Sequence, residues 1–193
     1  MAVEIEAKMS VDSFDPVRER LCEVGAVSAG RHFEVNAFFD TEDGSLLAAG
    51  KGLRLRLHRD EGTGAARHII TWKGPQQSGP LKSREEVELE VDRDDAAVHL
   101  LEKLGFRRTL SFEKRRETWE FQRCRIELDE VPHLGLFVEI EGPDEQTVLS
   151  VRERLGLSHR PVIKGSYMSL LVSHLGREGR DTTDVTFADA RPR

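Results

Sequence analysis

Glu4, Glu6 and Lys8 alternate with Val3, Ile5 and Ala7 near the start of the chain. On a strand, successive side chains point to opposite faces, so this spacing gathers two carboxylates and an ammonium on one face and apolar groups on the other. The same device returns as Arg54/Arg56, Arg84/Glu86/Glu88, Lys114/Arg116, Glu127/Asp129 and Glu139/Glu141. Clustered arginines and lysines clamp phosphate oxygens, Arg in bidentate fashion. Carboxylates beside a phosphate are unfavourable unless a divalent cation stands between them, and hard cations such as Mg2+ and Mn2+ take both kinds of oxygen. Basic and acidic rows together therefore point to a metal-bound polyphosphate, with chemistry driven by positioning and charge stabilisation.

The elements must bring these rows into one place. A single strand of this kind in a sandwich turns its charged face to water. Several together, with apolar reverse faces and amphipathic helices to cover them, predict a sheet closed with its charge inward.

Along the chain, a first strand is followed by a helix over Ser10 to Gly25, with Asp12 or Ser13 as cap, Pro16 in the first turn and an apolar stripe of Phe14, Val17, Leu21 and Val24. Extended segments follow at Arg31 to Phe39, Gly52 to Arg59, His68 to Lys73 and Lys82 to Asp92. A second helix, capped by Asp94 or Asp95, carries Ala97, Leu100, Leu101 and Leu104 and stops at Gly105. Strands then recur at Thr109 to Phe121, Arg123 to Glu130 and Leu136 to Glu141. Asp144 opens a third helix with Val148, Val151 and Leu155 inward, and Ser166 to His174 forms a last short one. About eight strands and three or four helices in this order read as one α+β domain or a helix-covered barrel. From Gly176 on, the polar tail offers only Val185 and Phe187 for burial and is expected to be mobile or merely draped over the domain.

Composition narrows the function. The chain has 193 residues, 38% hydrophobic and 33% charged, which suits one soluble domain with a modest core. A net charge of -6 argues against a general nucleic-acid surface. No apolar run approaches a membrane span, and no signal peptide is expected. Cys22 and Cys124 stand apart with no metal spacing, so they read as small buried thiols of a reducing, cytoplasmic compartment. The histidines have no zinc spacing, and His58 reads as solvated or structural. Phe38, Phe39, Trp72 and Trp119 read as packing residues, Arg115 and Glu85 as exposed. Glu90 falls at a strand's exposed end, and Tyr167 either bonds near a tunnel mouth or anchors its helix.

The ordered landmarks carry a resemblance. Glu4-x-Glu6-x-Lys8 is followed by Asn36-Ala37-Phe38-Phe39-Asp40, Leu53-Arg54-Leu55-Arg56, Thr71-Trp72-Lys73-Gly74-Pro75 and Lys82-Ser83-Arg84-Glu85-Glu86. Lys114-Arg115-Arg116, Leu128-Asp129-Glu130-Val131, the run Leu134 to Glu141, and Ser166-Tyr167 complete the series. Over residues 2–175 this resembles the CYTH superfamily, the triphosphate tunnel metalloenzymes, and most of all its class IV adenylate cyclase branch. The resemblance implies a closed antiparallel eight-stranded β-barrel over residues 1–175, with residues 176–193 as a tail. It implies a triphosphate-containing small molecule as ligand, with Mg2+ or Mn2+. By position, Lys8, Arg54, Arg56, Lys73, Arg84, Lys114 and Arg116 would hold phosphates. Glu4, Glu6, Asp129, Glu139 and Glu141 would hold metal, with Glu86 and Glu88 as further candidates. Lys8 would also serve as proton acceptor if the tunnel depressed its pKa. Two such tunnels can pair as a homodimer in this family.

Three functions stay open on these residues. One is hydrolysis of tripolyphosphate, thiamine triphosphate or a nucleoside triphosphate. The second is an adenylate cyclase, which makes cyclic AMP and pyrophosphate from ATP. The third is a non-catalytic polyphosphate- or nucleotide-binding module, which the many carboxylates disfavour. No stretch of the sequence reads as an adenine pocket, which leans the reading toward hydrolysis.

Overall fold

Eight strands close on one another in a single ring. The computed structural model describes the backbone of residues 2–190 and the side chains of residues 5–190. The strands are β1 (Ala2–Val11), β2 (Val27–Thr41), β3 (Gly52–Asp60), β4 (Ala66–Lys73), β5 (Lys82–Val91), β6 (Phe106–Phe121), β7 (Cys124–Val131) and β8 (Gly135–Gly142). Around the barrel the order is β2-β3-β4-β5-β1-β8-β7-β6, and β2 pairs with β6 to close it. Every one of these pairings is antiparallel.

Closure with charge inside puts the apolar core on the outside of the barrel. Ala7, Met9, Val11, Ile126, Leu128, Val138 and Ile140 point away from the lumen yet are buried, because α1 (Asp15–Glu23) and α4 (Glu145–Arg154) lay Val17, Leu21, Val148 and Val151 over them. Burying one such side chain contributes roughly 1.5–3 kcal/mol, so the helical cover is a main source of stability. Gly142 permits the approach of α4: a Cβ there would lie 2.7 Å from Cys124 Sγ and 2.9 Å from Val148 Cγ2. Asp144 starts α4 by accepting the Thr147 N–H at 2.7 Å. α3 (Asp94–Lys103) covers Leu53, Leu55 and Phe39 with Ala97 and Leu101. α5 (Tyr167–Glu178), capped by Ser166, seals one end of the barrel with Tyr167, Leu171 and Leu175 against Leu110, Phe112 and Phe137.

The structure departs from the sequence expectations in five places. β1 runs on through Val11, since Ser10 and Val11 pair with Phe137 and Leu136 of β8. Tertiary pairing overrides the helical pattern there, and α1 begins only at Asp15. After the turn at residues 42–43 comes the short helix α2 (Ser45–Ala48), which has no counterpart among the sequence expectations and whose Leu46 and Leu47 N–H groups bond to Asp40 at 2.9 Å and 3.0 Å. Of the apolar residues assigned to the second helix, Leu100 and Leu104 are exposed, Leu104 as the residue that follows α3, and only Ala97 and Leu101 are buried. Cys22 is exposed on α1, while Cys124 is buried as expected. The segment after α5 is neither free nor merely draped. β9 (Asp184–Val185) pairs in parallel with Ser111 and Phe112 of β6, burying Val185, and Asp184 takes Arg108 at 2.8 Å. No helix among the described residues is long and apolar enough to cross a membrane.

Candidate functional site

The strand registers set acid opposite base inside the lumen. Glu6 faces Lys82, Lys8 faces Glu139, Glu34 faces Lys114, Lys73 faces Glu86 and Arg116 faces Asp129. Charges this far from bulk water survive only when paired and hydrogen-bonded. Accordingly, Lys82 Nζ donates to Glu6 Oε1 at 2.7 Å, Lys114 Nζ lies 3.0 Å from Glu34 Oε2, and Lys73 pairs with Glu86.

β7 and β8 form the acidic wall. Glu127, Asp129 and Glu139 are all buried, and each offers an oxygen within 4.8 Å of the others. Arg116 reaches into this group from β6. Its Nε donates to Asp129 Oδ1 at 2.6 Å, and its Nη2 to Asp129 Oδ2 at 2.5 Å and Glu139 Oε2 at 2.6 Å; Nη1 pairs with Glu127. Glu127 and Glu139 are direct cross-strand partners of like charge. Burial pushes the Glu127 carboxyl up to about 8, with Asp129 and Glu139 adding to the effect against the pull of Arg116. Burial would raise Glu139 too, but Lys8 and Arg116 overcome it and hold that carboxylate well below the usual range. Three carboxylates without sulfur or imidazole suit a hard divalent cation.

The remaining walls are mostly basic. Arg54, Arg56, Lys73, Lys82, Arg84 and Lys114 line the same cavity of about 180 Å3 as Glu127 and Glu139. Arg54 is the least compensated of them. Its Nη2 donates to Thr71 Oγ1 at 3.0 Å and lies 3.6 Å from Glu88, while its buried Nε has no partner. Burial, with neighbouring Arg56, lowers its guanidinium to about 10. A buried N–H donor left without an acceptor is a site that an anion would satisfy.

Lys8 sits where four groups converge. Its ammonium donates to Gly165 O at 3.1 Å, lies 3.0 Å from Glu139 and 3.6 Å from Glu6, and stands 4.1 Å from the Tyr167 ring centroid. Burial alone would favour the neutral amine, but Glu139 and Glu6 outweigh it and raise the pKa above that of an ordinary lysine. Those two carboxylates thus favour the charged ammonium in this arrangement.

Of the residues predicted as metal ligands, Asp129 and Glu139 lie in the acidic cluster. Glu6 stands beside it through Lys8. Glu141 is half-buried, 4.0 Å from Arg125. Glu86 takes Arg84 at 3.2 Å as well as Lys73, and Glu88 accepts from Thr71 at 2.9 Å, both on β5 and away from β7. The Glu4 side chain lies outside the described residues, although its backbone pairs with Arg84. Arg116, predicted to hold phosphate, meets the carboxylates in this ligand-free arrangement.

Sequence reasoning left out Glu34, Lys82 and Glu127. Lys82 and Glu127 share strand faces with assigned residues, so their signal was present. Glu34 is fully enclosed, with Lys114 at 3.0 Å, Arg56 at 3.6 Å and Asn36 donating at 3.3 Å. Its only signal is the polar alternation His32, Glu34, Asn36. Tyr167 both anchors α5 and donates its hydroxyl to Asp129 at 2.9 Å.

Known proteins share this architecture. The Methanocaldococcus jannaschii protein MJ0240 is 26% identical over 177 residues, which is 87% of this chain and 98% of its own length. The Aeromonas hydrophila protein named adenylate cyclase CyaB is 32% identical over 146 residues, 71% of each chain. The solved structure of PH1819 from Pyrococcus horikoshii superposes with a TM-score of 0.77 at 27% identity, covering 88% of this chain and 98% of that one. The CYTH domain is matched across residues 2–167, the whole of the barrel and the start of its sealing helix, and the chain belongs to that family.

Proposed function

We propose that this chain is a divalent-metal-dependent enzyme that binds a triphosphate in its lumen and hydrolyses it. The observation that carries this reading is one cavity lined both by Glu127 and Glu139 of the acidic cluster and by an under-compensated arginine, Arg54. Lys8, Arg54, Arg56, Lys73, Arg84 and Lys114 would hold phosphate oxygens, with Lys82 beside them. Glu127, Asp129 and Glu139 would hold Mg2+ or Mn2+, with Glu4, Glu6 and Glu141 as further ligands. The bound cation would supply Lewis-acid stabilisation of charge on the phosphoryl oxygens. Lys8 would bind phosphate as an ammonium, the form that Glu139 and Glu6 favour here. The basic wall draws the polyanion in and fixes its line, and burial strengthens each of those contacts.

The size of the cavity bears on the substrate. At about 180 Å3 the lumen is smaller than the roughly 300–1,000 Å3 typical of pockets that enclose a whole drug-sized ligand, so it suits a phosphate chain alone. A second cleft of about 380 Å3 adjoins it, sharing Phe38, Leu47, Lys51, Gly52 and Met168. Phe39, Leu53, Leu110 and Val172 make that cleft largely apolar. It supports an organic triphosphate with its organic group outside the lumen. It also supports a second reading, an adenylate cyclase, which the relationship to CyaB favours. There the ribose 3'-hydroxyl of ATP attacks the α-phosphorus and pyrophosphate leaves.

Product analysis separates the readings, using tripolyphosphate, thiamine triphosphate, ATP and GTP with Mg2+, Mn2+ or EDTA. Orthophosphate release that stops in EDTA supports hydrolysis. Cyclic AMP with stoichiometric pyrophosphate supports the cyclase. Triphosphate binding with neither product leaves a non-catalytic binding module.

A further inference from the structure

We infer that Arg116 is the resident cation of the carboxylate cluster in the metal-free protein, and that it changes partners from carboxylate to phosphate when metal and triphosphate enter together. The inference rests on the metal-dependent triphosphate reading given above and adds an order to it.

The geometry of one side chain carries the argument. A guanidinium offers five N–H donors in a flat fork, and Arg116 points all three of its nitrogens at acid: Nε and Nη2 at Asp129, Nη2 also at Glu139, and Nη1 at Glu127. These are the same three residues whose oxygens converge within 4.8 Å. A guanidinium and a divalent cation cannot both occupy that convergence. Neighbouring charge is arranged for the Arg116-bound state, with Lys8 3.0 Å from Glu139 and Lys114 3.5 Å from Asp129.

The cost of leaving decides the order. Arg116 is buried, so once released it needs another anion at once, since an unpaired buried charge is strongly unfavourable. Apart from the acidic cluster, the cavity around it carries many cations, among them Arg54, Arg56, Lys73 and Lys114, while the other acids near it are already engaged, Glu6 by Lys82 and Glu34 by Lys114 and Arg56. An incoming phosphate supplies the missing acceptor. Metal without triphosphate should therefore bind weakly, triphosphate and metal should bind strongly together, and by linkage each should raise the affinity of the other.

The test is Mn2+ binding, followed by electron paramagnetic resonance and calorimetry, without and with a non-hydrolysable imido analogue of tripolyphosphate. The wild type should bind Mn2+ alone weakly. Arg116→Gln, which removes the competing cation, should bind Mn2+ alone at least about tenfold tighter and show less coupling to the triphosphate analogue. The side-chain 15N resonance of Arg116 in the wild type gives an independent readout should the variant fail to fold. It should move when Mg2+ and analogue are added together and stay in place with Mg2+ alone. If wild type binds metal and analogue together but Arg116→Gln gains no affinity for Mn2+ alone, the exchange is wrong and the site reading stands. If the Arg116 resonance stays unmoved in the full complex, the exchange is likewise wrong. If Mn2+ binds wild type in neither condition, the metal-dependent reading itself fails and takes the exchange with it.

Discussion

The Tyr167 hydroxyl donates to Asp129 Oδ2 at 2.9 Å, which ties the first turn of α5 to the acidic wall inside the barrel. The same ring lies under the Lys8 ammonium and packs edge-on against Phe137 at 5.2 Å between centroids. One residue thus joins the helix that seals the tunnel to the carboxylates that give it its chemistry.

Tyr167→Phe keeps the ring and removes only the donor. Urea unfolding should show a loss of about 1.5–3 kcal/mol, the range for a hydrogen bond to a charged group, at the lower end because Arg116 still holds Asp129. Tyr167→Ala, which also empties the space beneath Lys8, should cost clearly more, in the range of about 3–5 kcal/mol seen for large aromatic truncations. Equal losses would mean that the ring and the hydroxyl do not act separately.

Glu34 sets an acid limit on the fold. Burial alone would raise its pKa, but Arg56 and Lys114 overcome this and hold it well below the usual carboxylate range. A carboxylate with a depressed folded pKa adds stability that is fully present above its unfolded value, about 4.3, and is lost as pH falls toward the folded value. Stability of the wild type should therefore drop below about pH 4.3. Glu34→Gln should be destabilised by about 3–5 kcal/mol at neutral pH, as expected for breaking a buried ion pair, and should show a shallower decline in acid. Parallel stability–pH curves for the two proteins would contradict this account.

Arg54 should separate binding from folding. Because its Nε is buried without a partner, Arg54→Ala relieves an unfavourable burial and should leave unfolding free energy unchanged or slightly higher. The same change should weaken triphosphate binding by about 10- to 100-fold, the equivalent of one charged hydrogen-bonding group. Calorimetry and urea unfolding on one preparation check both arms. Lost stability with unchanged binding would make Arg54 structural.

The C-terminal segment should contribute to stability. Val185 is buried against Leu110, Phe112 and Leu175, and the Phe187 N–H donates to Glu113 at 2.8 Å. Val185→Ala should cost about 1–3 kcal/mol through the cavity it leaves. An unchanged unfolding midpoint would indicate that this segment detaches in solution.

Much of the fold was legible because charge alternates with apolar residues on nearly every strand, and closure with charge inward follows from six such strands together. What was not legible depends on contacts between distant parts of the chain. β1 extends through Val11 because β8 offers it partners, which no local pattern at Ser10 reveals. Val185 and Phe187 were the only large apolar residues of the tail, and they help dock it. In the site, Arg54, Arg56 and Arg84, set on strand faces by their spacing, and Lys73, placed by the resemblance, line one cavity. Glu34 was missed because β2 carries no second acid two residues away, and its charge is answered by β3 and β6 instead. Arg116 was assigned to phosphate by its position in the resemblance, which does not show its strand partners. Only the antiparallel register with β7, which sets Asp129 opposite it, turns it toward the carboxylates.

The central claim is that triphosphate and a divalent cation occupy this lumen together. Calorimetric titration of the imido analogue of tripolyphosphate into wild-type protein, once with Mn2+ and once with EDTA, tests it most directly. The account predicts one site per chain, at least about tenfold tighter with Mn2+ than with EDTA, and a large loss of that affinity in Arg54→Ala and in Asp129→Asn. Absence of binding, or binding that ignores both the metal and these substitutions, would contradict it.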